Sequence, residues 1–342
     1  MRYNKFLPLI LLNSFTVSLH AQLTQPYLQI PKLKVAPKID GKLSVEEWDN
    51  TALVTDYVMW TLDAYAPDRV ETHLGFDKEN IYVSFKGFIS DKKLFSGTLE
   101  EYKPIDSHLW GRNHFGVLLI KDTVVIEIKA GPSLSKMDFK NGELAWNGKW
   151  DFKASINEAN WMGEFKIPFT DLGIKAPPTG ETWRIILTWC NPSGTDALWS
   201  GKMKFTDKNP VACQFEKWPH PVPGDNNLTI NFKNNGAKKE TINCEILLLP
   251  FSGYPAFLNQ QGQDNNNAEM QISLKEKPIV VKKTISIPAN SSLSENINYK
   301  IVSEGNYYAV VSCINSFGDT LRQSTGYWFT VAPDKEKLIQ LS

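Results

Sequence analysis

Cysteine, histidine and methionine are scarce in this chain of 342 residues, numbering 4, 5 and 6. His73, His108, His114 and His220 have no close Cys or His partner at zinc-site spacing, so a zinc centre has no sequence carrier. An excess of either charge is also missing, with 37 basic against 37 acidic side chains. The net field that gathers proteins on nucleic acid or anionic membrane is therefore absent, and no nucleic-acid partner is expected. No apolar run reaches the ~20 residues of a spanning helix, so no membrane insertion is expected. The chain also lacks a Gly-x-Ser-x-Gly elbow, a phosphate-binding glycine loop and a His-Glu-x-x-His helix.

Aromatic residues are plentiful. They make up 12% of the chain and include 11 Trp, an excess suited to stacking on a flat, weakly polar ligand, although core packing claims most of them. At the N-terminus, Arg2 and Lys5 precede a short apolar run from Phe6 to Leu12, and His20-Ala21 closes the segment. Residues 1–21 read as an export signal, which places the mature chain in a secreted, periplasmic or cell-surface location. An oxidising compartment permits disulfides, but spacing alone does not pair Cys190, Cys213, Cys244 and Cys313. Cys244 shares strand parity with Ile242, Ile246 and Leu248 and is expected to point inward.

Alternation of period two dominates. Trp161, Gly163, Phe165 and Ile167 share one parity, Met162, Glu164 and Lys166 the other, and Pro168 should end the pairing. Strands are expected at 70–76, 81–88, 115–120, 124–129, 151–156 and 161–167, paired as successive hairpins. A short helix is expected after Asp40-Gly41, with Ser44 and Glu47 forming a capping box and Trp48 buried. The proline-punctuated stretch 218–227 suggests a boundary between domains at 22–219 and 220–342. Beyond it, short strands at 228–232, 240–249, 270–274, 279–287, 293–301, 307–314 and 327–331 fit an immunoglobulin or fibronectin III-like sandwich, though Val311 stands where a tyrosine corner would place Cys. The fold class is all-β: two antiparallel β-sandwich domains in tandem, with little helix.

Two separated pieces, Ile39-Asp40-Gly41 with Glu47-Trp48, and Trp161-Met162-Gly163-Glu164-Phe165-Lys166-Ile167-Pro168-Phe169 followed by Leu172-Gly173, occur in the order seen in family 9 carbohydrate-binding modules. The chain resembles that family over residues 30–215. The resemblance implies a noncatalytic module that holds a sugar between tryptophans, with polar groups at the sugar's rim and no cofactor. Trp110 occupies the place of the first ligand-stacking tryptophan, with Arg112 and His108 beside it as donors to hydroxyls. Asn113 stands where the family usually has Asp, and Gly116 where it usually has Glu. Trp199 and Phe205 are the candidates for the second aromatic.

The resemblance also allows a structural calcium. Its oxygen donors would come from the acidic turns at 63–68 or 77–79, for which a solvated turn is the simpler reading. The expected partner is an oligo- or polysaccharide, with a protein partner for the C-terminal sandwich as a further role. Competing readings are a polysaccharide-degrading glycoside hydrolase using an unrecognised carboxylate pair, a surface adhesion or partner-docking module acting through the C-terminal sandwich, and a haem site built from Met59, Met137 or Met162 with His73 or His114.

Overall fold

The computed structural model describes residues 20–22, 26–59, 66, 69–89, 109, 113–157, 159–174, 179–190, 196–215, 221–257, 270–324 and 327–331. In chain order the first elements are β1 (His20–Gln22), β2 (Tyr27–Pro31), α1 (Val45–Trp48), β3 (Ala52–Val54), β4 (Val58–Met59), β5 (Val70–Phe76) and β6 (Asn80–Phe88). There follow β7 (His114–Lys121), β8 (Val124–Ala130), β9 (Lys136–Lys140), β10 (Asp151–Ile156), β11 (Asn160–Pro168), β12 (Thr182–Cys190), β13 (Ala197–Thr206) and β14 (Ala212–Phe215). The rest are β15 (Gly224–Asn234), β16 (Glu240–Phe257), β17 (Met270–Leu274), β18 (Ile279–Ile287), β19 (Ser291–Ile301), β20 (Gly305–Asn315), β21 (Thr320–Gln323) and β22 (Tyr327–Val331). Among the described residues the fold is all-β with one helical turn, as the alternating sequence implied.

The first sandwich sets the sheet β10-β11-β6-β5-β3 against β2-β13-β12-β7-β8-β9. Pairing between β11 and β6 runs from Asn160↔Phe88 to Pro168↔Asn80 and stops at the proline, which has no N–H to donate. The inward parity of β11 fills the core: Trp161, Phe165 and Ile167 are buried, and Phe85 stacks on Phe115 across the two sheets at 4.2 Å between centroids. Gly163 shares that parity because the rings of Phe85 and Phe152 occupy the space a side chain would need; a Cβ there would lie 2.5 Å from Phe85. The expected helix forms as α1 and buries Trp48, but Ser44 makes no side-chain cap bond, so the capping box is not realised.

The second sandwich packs β14-β15-β19 against β18-β16-β20 with β21 and β22. Strand β14 precedes the proline-rich stretch, yet it pairs with β15 and contributes Cys213 and Phe215 to the second core, beside Val211 just before the strand. Along the chain the prolines of that stretch therefore fall between β14 and β15, and its residues 224–227 already belong to β15. Cys244 points inward as expected, opposite Cys313, with their sulfurs 3.8 Å apart. At the start of β20, the hydroxyl of Tyr307 donates to the carbonyl oxygen of Ser303 at 2.7 Å, the hydroxyl-to-backbone bond of a tyrosine corner without its cysteine spacing.

Strand β2 joins the two sandwiches. It pairs parallel to β13 and antiparallel to β21, making one continuous sheet across both. Beside this seam, Arg322 is 2% exposed, ion-paired with Asp56, and lies between the rings of Trp199 and Phe215 at 5.2 and 5.1 Å. Thr55 Oγ1 donates to the carbonyl oxygen of Phe215, Gln29 Nε2 donates to that of Thr320, and Val58 and Leu198 pack into the second core.

Candidate ligand-binding face

The two motif pieces, over a hundred residues apart in sequence, meet at one carboxylate. Glu164 points away from the sandwich core and is fully covered by α1 and the Asp40-Gly41 turn. Its Oε2 accepts the backbone N–H groups of Asp40 at 2.9 Å and Gly41 at 2.7 Å, while Oε1 accepts the indole N–H of Trp48 at 3.0 Å. Gly41 is required twice over: its φ is +83°, and a Cβ there would lie 2.8 Å from the backbone of Ala154. Burial pushes the Glu164 carboxyl upward, opposed by the three donors. This carboxylate is an organising group for the turn, and it presents no oxygen for chemistry.

Asp171, the other carboxylate of the motif, accepts the backbone N–H of Lys149 at 2.8 Å, and burial likewise pushes its carboxyl upward. A hydrolytic pair built from Glu164 and Asp171 would need to break both sets of bonds. The acidic turn at 77–79 is also committed: Asp77 accepts the N–H groups of Glu79 and Asn80 at 2.7 and 2.8 Å and the Tyr82 hydroxyl at 2.7 Å. Those bonds close the hairpin turn between β5 and β6. Of the other calcium candidate at 63–68, only Ala66 is among the described residues.

Asn113 leads directly into β7, which lies between β12 and β8. Register aligns Cys190 with His114, Thr188 with Gly116 and Lys129, and Ile186 with Leu118 and Glu127. Gly116, where the resembled family has Glu, has its side-chain space filled by its neighbours: a Cβ there would lie 2.3 Å from Thr188 Oγ1 and 3.4 Å from Lys129 Cγ. On the same face of β8, Lys129 Nζ meets Glu127 Oε1 at 2.7 Å. Burial pushes the Lys129 ammonium downward, and Glu127 opposes this. Burial and Asp196 push the Cys190 thiol upward, so it is a poor nucleophile.

Trp110, Arg112 and His108 lie outside the described residues. The positions flanking Trp110 and Arg112 are fixed at one place. Leu109 donates its N–H to Met137 Sδ at 3.5 Å, and a Cβ on Gly131 would approach both Leu109 Cδ2 and the carbonyl oxygen of Asn113 at 3.4 Å. Asn113 itself is buried, on the step into β7.

The expected second aromatics are placed elsewhere. Trp199 is 0% exposed with its ring beneath the Arg322 guanidinium, and Phe205 is enclosed by Phe76, Phe169 and Trp183. Neither presents a ring face to solvent; both are core residues in this conformation. Strand parity carries the signal, since Trp199, Met203 and Phe205 alternate with Ser200, Lys202 and Lys204. The residues missed in the sequence are Lys129, Glu127 and Thr188, whose neighbourhood exists only through the β8-β7-β12 register. Two of the haem candidates are similarly engaged: Met137 Sδ accepts the N–H of Leu109, and His73 Nδ1 meets Thr51 Oγ1 at 2.9 Å.

No family model and no curated protein matches this sequence. Among solved structures, a Bacteroides uniformis protein described provisionally as carbohydrate-binding is 11% identical with a TM-score of 0.41, over 52% of this chain and 98% of its own. A family 9 carbohydrate-binding module from Caldicellulosiruptor kristjanssonii, in complex with cellotriose, is 13% identical with a TM-score of 0.37, over 53% of this chain and 94% of its own. A mutant β-glucuronidase 2 from Bacteroides uniformis is 10% identical with a TM-score of 0.23, over 92% of this chain and 32% of that one. The chain is thus distantly similar in structure to carbohydrate-binding modules over about half its length.

Proposed function

We propose that this is an exported, noncatalytic carbohydrate-binding protein, which holds a sugar against Trp110. The observation that carries the reading is the joining, through Glu164, of the two sequence pieces that mark the resemblance. The same scaffold anchors Leu109 and Asn113 on either side of Trp110. A sugar offers C–H groups on its faces and hydroxyls on its rim, so it calls for one aromatic platform with polar neighbours. Arg112 and His108 would supply donors, and the Glu127–Lys129 pair lies on the neighbouring strand. The engaged state of Glu164 and Asp171 argues against the hydrolase reading. The second sandwich would space the module or dock a protein partner.

The test is calorimetric titration of the purified protein with a panel of neutral oligosaccharides, repeated with Trp110→Ala. Binding lost in a folded Trp110→Ala protein supports the reading and locates the site. Release of shorter sugars from the panel would move the assignment to a hydrolase. No heat with any glycan would refute it.

A further inference from the structure

A second concave region lies where the sandwiches meet, on the opposite sheet of the first sandwich from Trp110's neighbours. The outward face of β5 and β6, beside α1, forms one wall; the outward face of β14-β15-β19 forms the other. An ion pair between Lys233 and Asp49, and a bond from Asn235 Nδ2 to the carbonyl oxygen of Asp49 at 2.5 Å, tie the walls together. The cleft encloses about 560 Å³, a volume suited to a small ligand, at a domain junction where such sites concentrate.

The chemistry of the two walls differs. On the second sandwich, register sets Gln214, Asn231 and Ser294 in one row across three strands, with Lys233 and Ser292 in the next. These amide and hydroxyl groups both donate and accept. On the first sandwich, Leu43, Leu53 and Val45 supply aliphatic surface, Val45 being 71% exposed. The ionic groups lining the cleft balance: Asp49 and Glu71 against Lys86 and Lys233. Burial holds the His73 imidazole at a pKa of about 4, so it adds no charge near neutrality.

An aliphatic wall facing a hydroxyl and amide ladder, with no net charge, matches a ligand having C–H faces, a hydroxyl rim and no ionic group. We propose that this cleft is a second carbohydrate site, taking a neutral oligosaccharide gripped between the two sandwiches. It rests on the sugar-binding reading for the class of ligand, and on the cleft alone for its place.

The full-length protein, Trp110→Ala, Gln214→Ala and Ser294→Trp are titrated with cellotriose, xylotriose and mannotriose, each variant having first been shown to melt like wild type. Hydrogen exchange of the wild type with saturating trisaccharide provides a readout free of substitutions. For a trisaccharide that binds, Ser294→Trp should abolish one class of site and Gln214→Ala weaken it by about tenfold, while Trp110→Ala leaves that class intact. Exchange should slow in β14, β15 and β19. Binding lost only in Trp110→Ala, with exchange in those strands unchanged, overturns the cleft proposal and leaves the Trp110 reading standing. Binding lost only in the cleft variants does the reverse, and no binding of any trisaccharide defeats the cleft proposal.

Discussion

Replacing Glu164 by Gln keeps size and shape and changes one thing that can be worked through. The amide oxygen can retain the N–H groups of Asp40 and Gly41 that Oε2 accepts. The amide nitrogen then faces the Trp48 indole N–H, donor to donor, where Oε1 now accepts at 3.0 Å. A bond to a charged acceptor contributes about 1.5–3 kcal/mol, and a stranded buried donor costs about 1–3 kcal/mol. Relief from burying a carboxylate offsets part of this, because burial is the largest influence on its protonation. The expected net loss is about 2–3 kcal/mol in urea unfolding of the first sandwich. In a Trp48→Phe background the indole donor is gone, and the same change should cost about 1–2 kcal/mol less. A Glu164→Gln protein within about 0.5 kcal/mol of wild type, the range of ordinary surface changes, or an equal cost in both backgrounds, would refute the reasoning.

Arg322→Ala leaves Asp56 buried without its cation and removes the group between Trp199 and Phe215; a loss of about 3–5 kcal/mol is expected, with calorimetry showing two separated unfolding transitions. A single transition at the wild-type temperature would contradict this. His73 has its pKa lowered by burial from 6.5 to about 4, so its contribution is present above pH 6.5 and is lost as pH falls toward 4. The full effect is about 3 kcal/mol. His73→Gln should flatten the stability difference between pH 7 and pH 4.5, measured by urea unfolding; an unchanged difference counts against it. Gly87→Ala would put a Cβ 2.0 Å from the Trp189 ring and should cost about 1–3 kcal/mol, read as a lower melting temperature; an unshifted melt would mean that the ring can move aside.

Long alternating strands were legible because their periodicity is a local property: β5, β6, β8, β10 and β18 fall within a residue or so of the expected ranges. The short strands β2, β4, β14 and β21 were not, since two to five residues carry no period and gain strand character only from distant partners. Cys213 sits before the prolines, and only the pairing of β14 with β15 assigns it to the second core. The Asp40-Gly41 turn and the Trp161 strand were both readable, whereas the bond between them through Glu164 needed three dimensions. At the candidate face, the departures at Asn113 and Gly116 were visible, but the residues filling the space at Gly116, Thr188 and Lys129, come from the strands on either side.

The seam strand has a consequence for how the chain reaches its final form. Residues 27–31 leave the ribosome early, yet their neighbours are residues 202–206 and 322–323, which follow much later. Contacts between such distant segments are slow to close. The earliest strand of the seam is thus the last to be locked, and until then its parallel and antiparallel edges are open to strands of other molecules. Tyr27 to Pro31 is therefore a segment at which mispairing during synthesis is favoured.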